Sequence, residues 1–333
     1  MTSSTLSQRK KEVNAIDNAF DWREFGYTAS ELEALEVEEV QFAVDEIIPE
    51  GYTVIAGPPK MGKSWLALNL AHSIATGTDA LGRFGTSQGK VLALLYESNK
   101  RTLKQRLNNL WPNGGLSDDI LVVDGANPWP QMNEGGLEAL EQWLKDTPDA
   151  KAIFLDTLQR FLGKAGRGQN AYKSEYDVSS KIQELASKYG VSIIGIHHTK
   201  KGGKQDDWLE ELNGSFGLSS GADAILLYRR DRNSPSGTVK VTGRLFEEQE
   251  FPLTLDSVTG HLTYQEPMQT FTEEQNDIML LLGNGGPHAA KEVADALSLT
   301  TDTDRTRIRQ TLSRFAKRGL LQKEDDRYLL PLS

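Results

Sequence analysis

Residues 57–64 of this chain are Gly57-Pro58-Pro59-Lys60-Met61-Gly62-Lys63-Ser64, which match the phosphate-binding loop pattern G-x-x-x-x-G-K-[ST] at every fixed position. The β-branched run 52–56 before the loop predicts a buried strand, and the residues from Trp65 onward predict a helix. A glycine-bearing turn between a strand and a helix directs backbone N–H groups at one anion, where the helix dipole also favours negative charge. We therefore predict a nucleoside triphosphate site over 57–65, with Lys63 on the β- and γ-phosphates and Ser64 supplying a hydroxyl to Mg²⁺.

Composition narrows the class of protein further. The 333 residues include no cysteine, which excludes disulfides, thiolate zinc sites and cysteine nucleophiles. The longest apolar runs are far too short to span a bilayer and no signal-peptide core is present, so we expect a cytoplasmic protein without membrane contact. The net charge is −10, and residues 1–50 contribute most of it with 12 acidic and 4 basic side chains. Any nucleic-acid contact must therefore come from local basic loops or one helix face.

The pattern along the chain predicts three parts. Residues 1–40 form an acidic arm in which Thr28-Ala29-Ser30-Glu31 has capping-box spacing and predicts a short helix. Residues 41–265 alternate strand and helix patterns, which indicates an α/β domain with a mostly parallel twisted sheet covered on both faces. Its last strands, 238–242 and 251–255, are predicted to form an antiparallel pair at the sheet edge. Residues 272–333 predict three helices and a short strand pair.

Polar side chains follow three of the predicted strands. Asp156 ends the apolar run 151–155, in the position where P-loop enzymes hold Mg²⁺. Glu97 follows the strand at 91–96 and is either a base that orients the attacking water or an ordinary acid at a helix start. His198, after His197 at the end of the strand near 191–196, is either structural or a sensor of the γ-phosphate. No carboxylate spacing here favours zinc.

Two glycine-rich basic loops follow the Asp156 and His198 strands. The first contains Lys164 and Arg167, and the second contains Lys200, Lys201 and Lys204. Such loops can wrap a phosphate backbone, which would make binding to nucleic acid salt-dependent. The alternative is that both are plain solvent-exposed connectors. Because both leave the same end of the sheet, we favour contact with nucleic acid.

Five ordered blocks extend the pattern well beyond one P-loop. They are GPPKMGKSWLALNLA, VLALLYESNKRTLKQRL, AIFLDTLQRF, VSIIGIHHTKK and GSFGLSSGADAILLYRR, followed by VTGRLFEEQEFPL. Over roughly residues 40–262 this order resembles the RecA-like ATPases, specifically the RepA/DnaB group of hexameric replicative helicases. Within that group it looks most like the plasmid- and phage-type RepA-like ATPase domain.

The resemblance implies a RecA-like P-loop NTPase core that uses ATP and Mg²⁺. It makes Glu97 the water-orienting base, Asp156 the second Mg²⁺ ligand and His198 the γ-phosphate sensor. Arg244 matches the position of an arginine finger given to the neighbouring subunit's ATP, with Arg229 and Arg230 as competing choices. The implied assembly is a hexameric ring on single-stranded DNA, which segment 214–221 and the lysine-rich loop before it would contact.

The last 62 residues resemble a small C-terminal winged helix-turn-helix. Its third predicted helix carries basic side chains, as a recognition helix entering a groove would. They are Arg305, Arg307, Arg309, Arg314, Lys317 and Arg318. Since 272–333 has 10 acidic and 9 basic residues, docking of a protein partner remains an alternative to duplex DNA.

From the sequence we therefore expect an ATP-driven, ring-forming motor that acts on single-stranded DNA in plasmid or phage replication. Two alternatives stay open. One is an ATP-dependent recombination or loading factor for single-stranded DNA that does not unwind duplex. The other is a DNA-binding regulator whose P-loop domain acts as a nucleotide switch.

Overall fold

The computed structural model describes residues 26–36, 39–163, 171–199, 221–266, 272–283, 286–317 and 320–330. Two compact units divide the chain, Met1–Gln265 and Glu266–Ser333. Each unit is built around its own apolar core.

A nine-stranded sheet forms the centre of the first unit, in the order β11-β10-β9-β8-β3-β7-β6-β4-β5. Six neighbouring strands, from β8 to β5, run parallel, and the other three extend the sheet antiparallel beyond β8. The strands are β3 (Gly51–Gly57), β4 (Lys90–Leu95), β5 (Ile120–Asp124), β6 (Ala150–Asp156), β7 (Ser192–His198), β8 (Ala224–Arg230), β9 (Ser236–Gly243), β10 (Gln249–Leu255) and β11 (Leu262–Tyr264). The α/β fold with a mostly parallel sheet is thus confirmed.

Helices cover both faces of this sheet, and the central strands are accordingly buried on both sides. Every residue of β3 is buried, which its run of apolar and β-branched residues predicts. One apolar cluster packs around α2 and a second around α4, α5 and α6. The helices are α1 (Ala29–Glu33), α2 (Lys63–Thr76), α3 (Lys100–Leu110), α4 (Gly136–Asp146), α5 (Leu158–Leu162) and α6 (Ala171–Tyr189).

Several short elements were not predicted from the sequence patterns. The strands β1 (Phe42–Val44) and β2 (Ile48–Pro49) form a small antiparallel pair of their own. Helix α5 follows β6 directly, so the first basic loop leaves this helix and not the strand as predicted. These elements have two to five residues, too few for a period of 2 or 3.6 to emerge from the sequence.

Helix α1 at the start of the described chain confirms the predicted capping box. The Thr28 hydroxyl accepts from the Glu31 N–H at 3.2 Å, and the Glu31 carboxylate accepts from the Thr28 N–H at 2.7 Å. None of the residues of α1 is buried. Among the described helices, none combines the length and the apolar character that crossing a membrane requires.

Within its described residues, the second unit contains three helices and a three-stranded antiparallel sheet of order β12-β14-β13. Its core includes Ile308, Leu312 and Phe315, the helical apolar spacing seen in the sequence. Strand β12 was not predicted and pairs with β14 through His288 and Tyr328. The elements are α7 (Glu273–Gly283), β12 (His288–Ala289), α8 (Ala290–Ala296), α9 (Asp302–Lys317), β13 (Gln322–Glu324) and β14 (Arg327–Leu329).

Candidate active site at the phosphate-binding loop

The P-loop (residues 57–64) connects β3 to α2 at the carboxyl end of the sheet. At Gly57 a Cβ atom would lie 2.3 Å from the carbonyl oxygen of Tyr228 on the adjacent strand, so only glycine fits. Helix α2 starts at Lys63 with Gly62 as its N-cap, and no side chain caps its N-terminus. The free N–H groups of that first turn are therefore available to an anion, as the sequence predicts.

Lys63 is 3 % exposed and lies against its own loop. Its Nζ donates to the carbonyl oxygens of Gly57 and Pro58, both at 2.7 Å. Burial lowers the pKa of Lys63 to about 8, although the negative charges of Asp156 and Glu97 oppose the shift. The ammonium is thus held among carbonyl oxygens beside the phosphate cradle, where a phosphate could replace them as the partner.

Ser64 and Asp156 join the P-loop to β6. The Ser64 hydroxyl donates to the carboxylate of Asp156, which is 6 % exposed. Burial raises the pKa of Asp156, and the nearby Glu97 acts in the same direction. The bond from Ser64 and the positive charges of Arg106 and His198 oppose that rise. A hydroxyl and a carboxylate in contact form the oxygen pair that P-loop enzymes present to Mg²⁺.

The register of the parallel strands aligns the other predicted groups beside the P-loop. On β7, His198 pairs with Gly57 of β3. Strand β6 lies on the other side of β7, and its Asp156 pairs with Ile196 of β7. Asp156 also pairs with Leu95 of β4, and Glu97 follows two residues after Leu95. Glu97, Asp156 and His198 therefore follow the carboxyl ends of three adjacent strands, which is where α/β sheets place their ligands.

The two histidines of β7 differ in environment. Burial lowers the pKa of His197 to about 4, with further contributions from the positive charges of His198 and Lys63. Burial also lowers the pKa of His198, together with Lys63, whereas Glu97 and Asp156 act in the opposite direction. His198 is exposed in the cleft, so it is the member of the pair that can meet a ligand.

Part of the P-loop, Glu97 and His198 line one cavity of about 430 Å³. Its walls include Gly62, Lys63 and Ser64 of the P-loop together with Glu97 and His198. Trp65 also lines the cavity. Gly260 packs so closely against its indole ring that a Cβ atom at this position would lie 2.3 Å from the ring. Asn69 fixes that turn by donating to the Gly260 carbonyl oxygen at 3.0 Å.

The cavity fits a nucleoside triphosphate with Mg²⁺. The donor set is the amide cradle, the Lys63 ammonium, the Ser64 hydroxyl and the carboxylates of Glu97 and Asp156. This is the set for a metal that takes most of its ligands from phosphate and water. Within the described ranges, no group of three or more histidine, aspartate or glutamate side chains could hold a metal ion by itself. The protein groups thus suit a metal that arrives with a phosphate ligand.

Two arginines that we did not assign to this cavity also line it. Arg106 of α3 donates to the Ser98 hydroxyl at 3.1 Å, and its guanidinium lies 5.6 Å from the centre of the Trp65 ring. Arg230 donates from Nε to the Met61 carbonyl oxygen at 3.2 Å. The one sequence signal for Arg106 is its spacing, which puts it on one face of α3 with Leu103 and Leu110, both of which are buried.

Arg244 lies far from this cavity, at the opposite end of the sheet. Strand β9 runs antiparallel to β8 and brings Gly243 opposite Ala224, the first residue of β8. Arg230 at the other end of β8 contacts the P-loop, and β8 has seven residues. At about 3.3 Å per residue, the two ends of β8 are about 20 Å apart. The Arg244 guanidinium is 57 % exposed and forms an ion pair with Asp223 at 3.2 Å.

The structure describes only some of the residues that were predicted to contact nucleic acid. Lys164, Arg167, Lys200, Lys201 and Lys204 lie outside the described residues, as does most of 214–221.

On helix α9 the predicted contacts are described. Arg307 is engaged by Glu274 at 2.6 Å and by Asp304 at 3.1 Å, and Arg314 donates to the Thr311 hydroxyl at 3.4 Å. Arg309 is exposed.

Comparisons with known proteins agree with this geometry. A family model described as an AAA domain matches residues 23–204, which is more than half of the chain. The replicative DNA helicase DnaC of Bacillus subtilis (strain 168) is 24% identical over 226 residues, covering 56% of this chain and 49% of the helicase. The replicative DNA helicase DnaB of Geobacillus stearothermophilus gives the same identity and coverage. The chain spans about half the length of the curated relatives it matches.

Solved structures share the fold of the first unit. One solved ATPase domain is 18% identical with a TM-score of 0.52, over 65% of this chain and 85% of that domain. A DnaB-like replicative helicase, described with its interactions with primase, is 16% identical with a TM-score of 0.54, over 79% of this chain and 71% of that one. The chain belongs to the AAA domain family and has the RecA-like ATPase fold of the RepA/DnaB helicase group.

Proposed function

We propose that this protein is an Mg-ATP-hydrolysing, ring-forming motor that acts on single-stranded DNA in plasmid or phage replication. The observation that carries the proposal is the cavity lined by the P-loop and Glu97, with Ser64 of that loop donating to the buried Asp156. These are the parts that phosphoryl transfer to water requires on one side of the γ-phosphate. Bound Mg-ATP supplies the phosphoanhydride bond and the metal charge that polarises it.

Each residue of the cavity then has a defined task. Lys63 leaves the carbonyl oxygens of Gly57 and Pro58 and neutralises the phosphates. Glu97 is exposed to the cavity, so its carboxylate accepts a proton from the attacking water and orients it. His198, one strand from the P-loop, senses the terminal phosphate and passes its presence to the basic loop that follows it.

A second copy of the chain completes the site. Arg244 lies at the far end of the sheet from its own P-loop, about 20 Å away by the rise of β8, and so can reach only another subunit's nucleotide. Arg230 contacts its own P-loop and therefore cannot be the residue given to a neighbour. An active site that takes residues from two subunits requires a heterologous interface, and such an interface forms a ring when its rotation closes.

Single-stranded DNA is the proposed substrate for movement. Lys164 and Arg167 in the first basic loop and Lys200, Lys201 and Lys204 in the second would hold its phosphates. The named relatives are replicative DNA helicases, which supports a DNA substrate. We propose that the second unit is a winged helix-turn-helix, supported by its three helices and small antiparallel sheet. Because Arg307 is already paired with acids, Arg309 is the strongest candidate in the second unit for contact with duplex DNA.

The test is steady-state ATP hydrolysis with and without single-stranded DNA, followed by an unwinding assay on a forked duplex. We expect strong stimulation by single-stranded DNA that is absent in Glu97→Gln. Stimulation without unwinding would leave the loading factor, and hydrolysis that no DNA stimulates would leave the nucleotide switch. Lack of ATP hydrolysis under all conditions would refute the proposal as a whole.

A further inference from the structure

A groove of about 540 Å³ lies between helix α3 and strand β5. Strand β5 pairs only with β4 among the described strands, so the groove lies at an edge of the sheet. It shares no lining residue with the cavity at the P-loop. Its volume is within the range of about 300–1,000 Å³ that is typical of sites for small molecules. The α3–β5 groove is therefore a separate cavity that is large enough for a small organic ligand.

Much of the lining of this groove is aliphatic. Leu103 and Leu107 line it from α3, and Val122 and Val123 line it from β5. Leu116, in the segment that connects the two elements, is 44 % exposed there. An apolar or flat part of a ligand could cover these side chains, since removing apolar surface from water is favourable.

One carboxylate in the lining lacks a partner for one of its oxygens. Asp124, at the carboxyl end of β5, is 7 % exposed. Its Oδ1 accepts from the N–H groups of Ala126 at 3.0 Å and Asn127 at 3.1 Å. Its Oδ2 is buried and forms no hydrogen bond with any described residue. Because a buried acceptor without a donor is costly, this atom indicates a ligand that brings a donor.

The turn after β5 keeps Asp124 at this position. At Gly125 a Cβ atom would collide with the carbonyl oxygen of Tyr96, so only glycine lets this turn pack against the turn after β4. The Gly125 N–H also donates to the Ser98 carbonyl oxygen at 2.8 Å. Close packing of the two turns therefore fixes the backbone beside Asp124.

Two lysines of α3 bring positive charge to the same groove. Lys100 and Lys104 line it, both are exposed, and neither forms an ion pair with any described residue. They lie about one turn apart on the helix, and like charges at this spacing repel each other. Helix α3 carries four basic and no acidic residues, so no side chain of the helix offsets the repulsion. An anionic group of a ligand would offset it.

We propose that the α3–β5 groove binds a free nucleotide whose base carries an exocyclic amine. The phosphate would pair with Lys100 and Lys104, and the amine would donate to Oδ2 of Asp124. The sugar and the face of the base would cover the aliphatic lining. An acidic peptide suits the groove less well, because its carboxylates have no hydrogen to donate to Asp124.

Nucleoside monophosphates test this site in the full-length protein. They lack the β- and γ-phosphates that Lys63 would hold, so the P-loop contributes little to their binding. Cytidine monophosphate has an amine where uridine monophosphate has a carbonyl oxygen. In isothermal titration calorimetry we expect cytidine monophosphate to bind about tenfold more tightly, since the uridine nucleotide leaves the buried acceptor unpaired. Equal affinities, or no binding of either nucleotide, would overturn the proposal.

An Asp124→Asn variant should invert this preference. The amide keeps an oxygen for the N–H groups of Ala126 and Asn127, and it replaces the unpartnered Oδ2 with a donor. Uridine monophosphate should then bind about tenfold more tightly than cytidine monophosphate, because only the uridine base presents an acceptor to that donor. Urea denaturation checks that the variant is as stable as the natural chain. A stable variant that still prefers the cytidine nucleotide would contradict the assignment of Asp124.

Lysine variants test the phosphate end of the ligand. Lys100→Ala with Lys104→Ala should weaken binding of cytidine monophosphate about tenfold and leave the binding of cytidine, which has no phosphate, unchanged. The control Lys181→Ala with Lys291→Ala removes two exposed lysines outside the groove and should change neither affinity. If Lys63→Ala abolishes binding of the monophosphate, the ligand occupies the P-loop and the proposal fails.

An oligonucleotide of deoxycytidine separates a free nucleotide from a nucleotide within a strand. Binding of the oligonucleotide at Lys100 and Lys104 without any binding of cytidine monophosphate would show that the groove holds a nucleic-acid strand, which overturns the proposal. None of these measurements requires hydrolysis. Their outcome is therefore independent of whether the protein is an ATP-driven motor.

Discussion

The two ends of the central sheet differ in how they hold their charges. At the carboxyl end, Lys63 and Asp156 are almost fully buried and their pKa values are shifted by burial. At the opposite end, Arg244 is exposed and its partner Asp223 is half-buried in an ion pair. Buried groups with shifted pKa values are typical of a site where chemistry is performed. An exposed arginine in a weak ion pair can leave it and bind elsewhere.

Under the proposed function, one chain would hold two unequal halves of an active site. The half at the P-loop would hold the nucleotide, and the half at Arg244 would contribute to the nucleotide site of another subunit. If that division is correct, damage to either end should stop hydrolysis, yet only damage to the P-loop end should prevent nucleotide binding.

The largest effect is expected for Arg244→Ala. In related phosphoryl-transfer systems an arginine finger contributes about 10³–10⁵ in rate, so kcat should fall by that order while ATP affinity stays close to the natural value. The measurement is kcat from steady-state hydrolysis, with ATP affinity from equilibrium titration. Arg230→Ala is the matched control, because it should weaken nucleotide binding through the P-loop of its own subunit. A loss of ATP affinity in Arg244→Ala would show that Arg244 acts in its own subunit's site, which contradicts the division between the two ends of the sheet.

A Glu97→Gln variant should show the next largest effect. General base catalysis contributes about 10²–10⁴, so kcat should fall by that factor while the uncharged isostere leaves ATP binding intact. Glu97→Gln tests the P-loop end, as Arg244→Ala tests the other. Activity within a few-fold of the natural chain would show that Glu97 is only an acid at the start of α3.

An equal mixture of these two variants tests whether the two halves of the site come from different subunits. Each variant lacks one half of the site, and about a quarter of the interfaces in a random ring would combine two intact halves. Activity should therefore rise from near zero to about a quarter of the natural value, if sites act independently. A mixture as inactive as its components would indicate that Arg244 does not act between subunits.

Sequence patterns predicted the P-loop end of the sheet well. Residues of β3, β4, β6 and β7 form continuous apolar runs because both faces of a parallel sheet are buried, and such runs are visible without a structure. Because parallel strands point the same way, the polar residues that end these runs are expected at the same edge of the sheet. Arg106 was missed because it comes from the interior of a helix, where its contact with the cavity depends on how α3 packs.

The location of Arg244 could not be derived in the same way. It depends on β9 pairing antiparallel with β8 in the register that sets Gly243 opposite Ala224. A register is decided by contacts between strands and leaves little trace in either strand alone. The short elements β1, β2, β11 and β12 were missed because two or three residues carry no periodic signal.

ATP affinity should depend on pH through Lys63. Its pKa of about 8 means that the ammonium is mostly charged at pH 7 and mostly neutral at pH 9. The fraction of chains able to neutralise the phosphates should fall about tenfold between these values, and the dissociation constant for ATP should rise by the same factor. Equilibrium titration at constant free Mg²⁺ checks this. Lys63→Arg is the control, since arginine stays charged over the whole range and should give a flat profile.

The smallest effect is expected at the other end of the sheet, for Asp223→Asn. The Asp223 carboxylate accepts from the Tyr52 N–H at 2.9 Å and pairs with the exposed Arg244. Asparagine keeps an acceptor for Tyr52, and an exposed ion pair contributes little, so the free energy of unfolding should fall by about 1 kcal/mol or less. Urea denaturation measures the loss. Hydrolysis should be maintained or slightly raised, because Arg244 is released from its partner within the chain. A large fall in kcat with unchanged stability would instead mean that Asp223 holds Arg244 in the orientation that the neighbouring site requires.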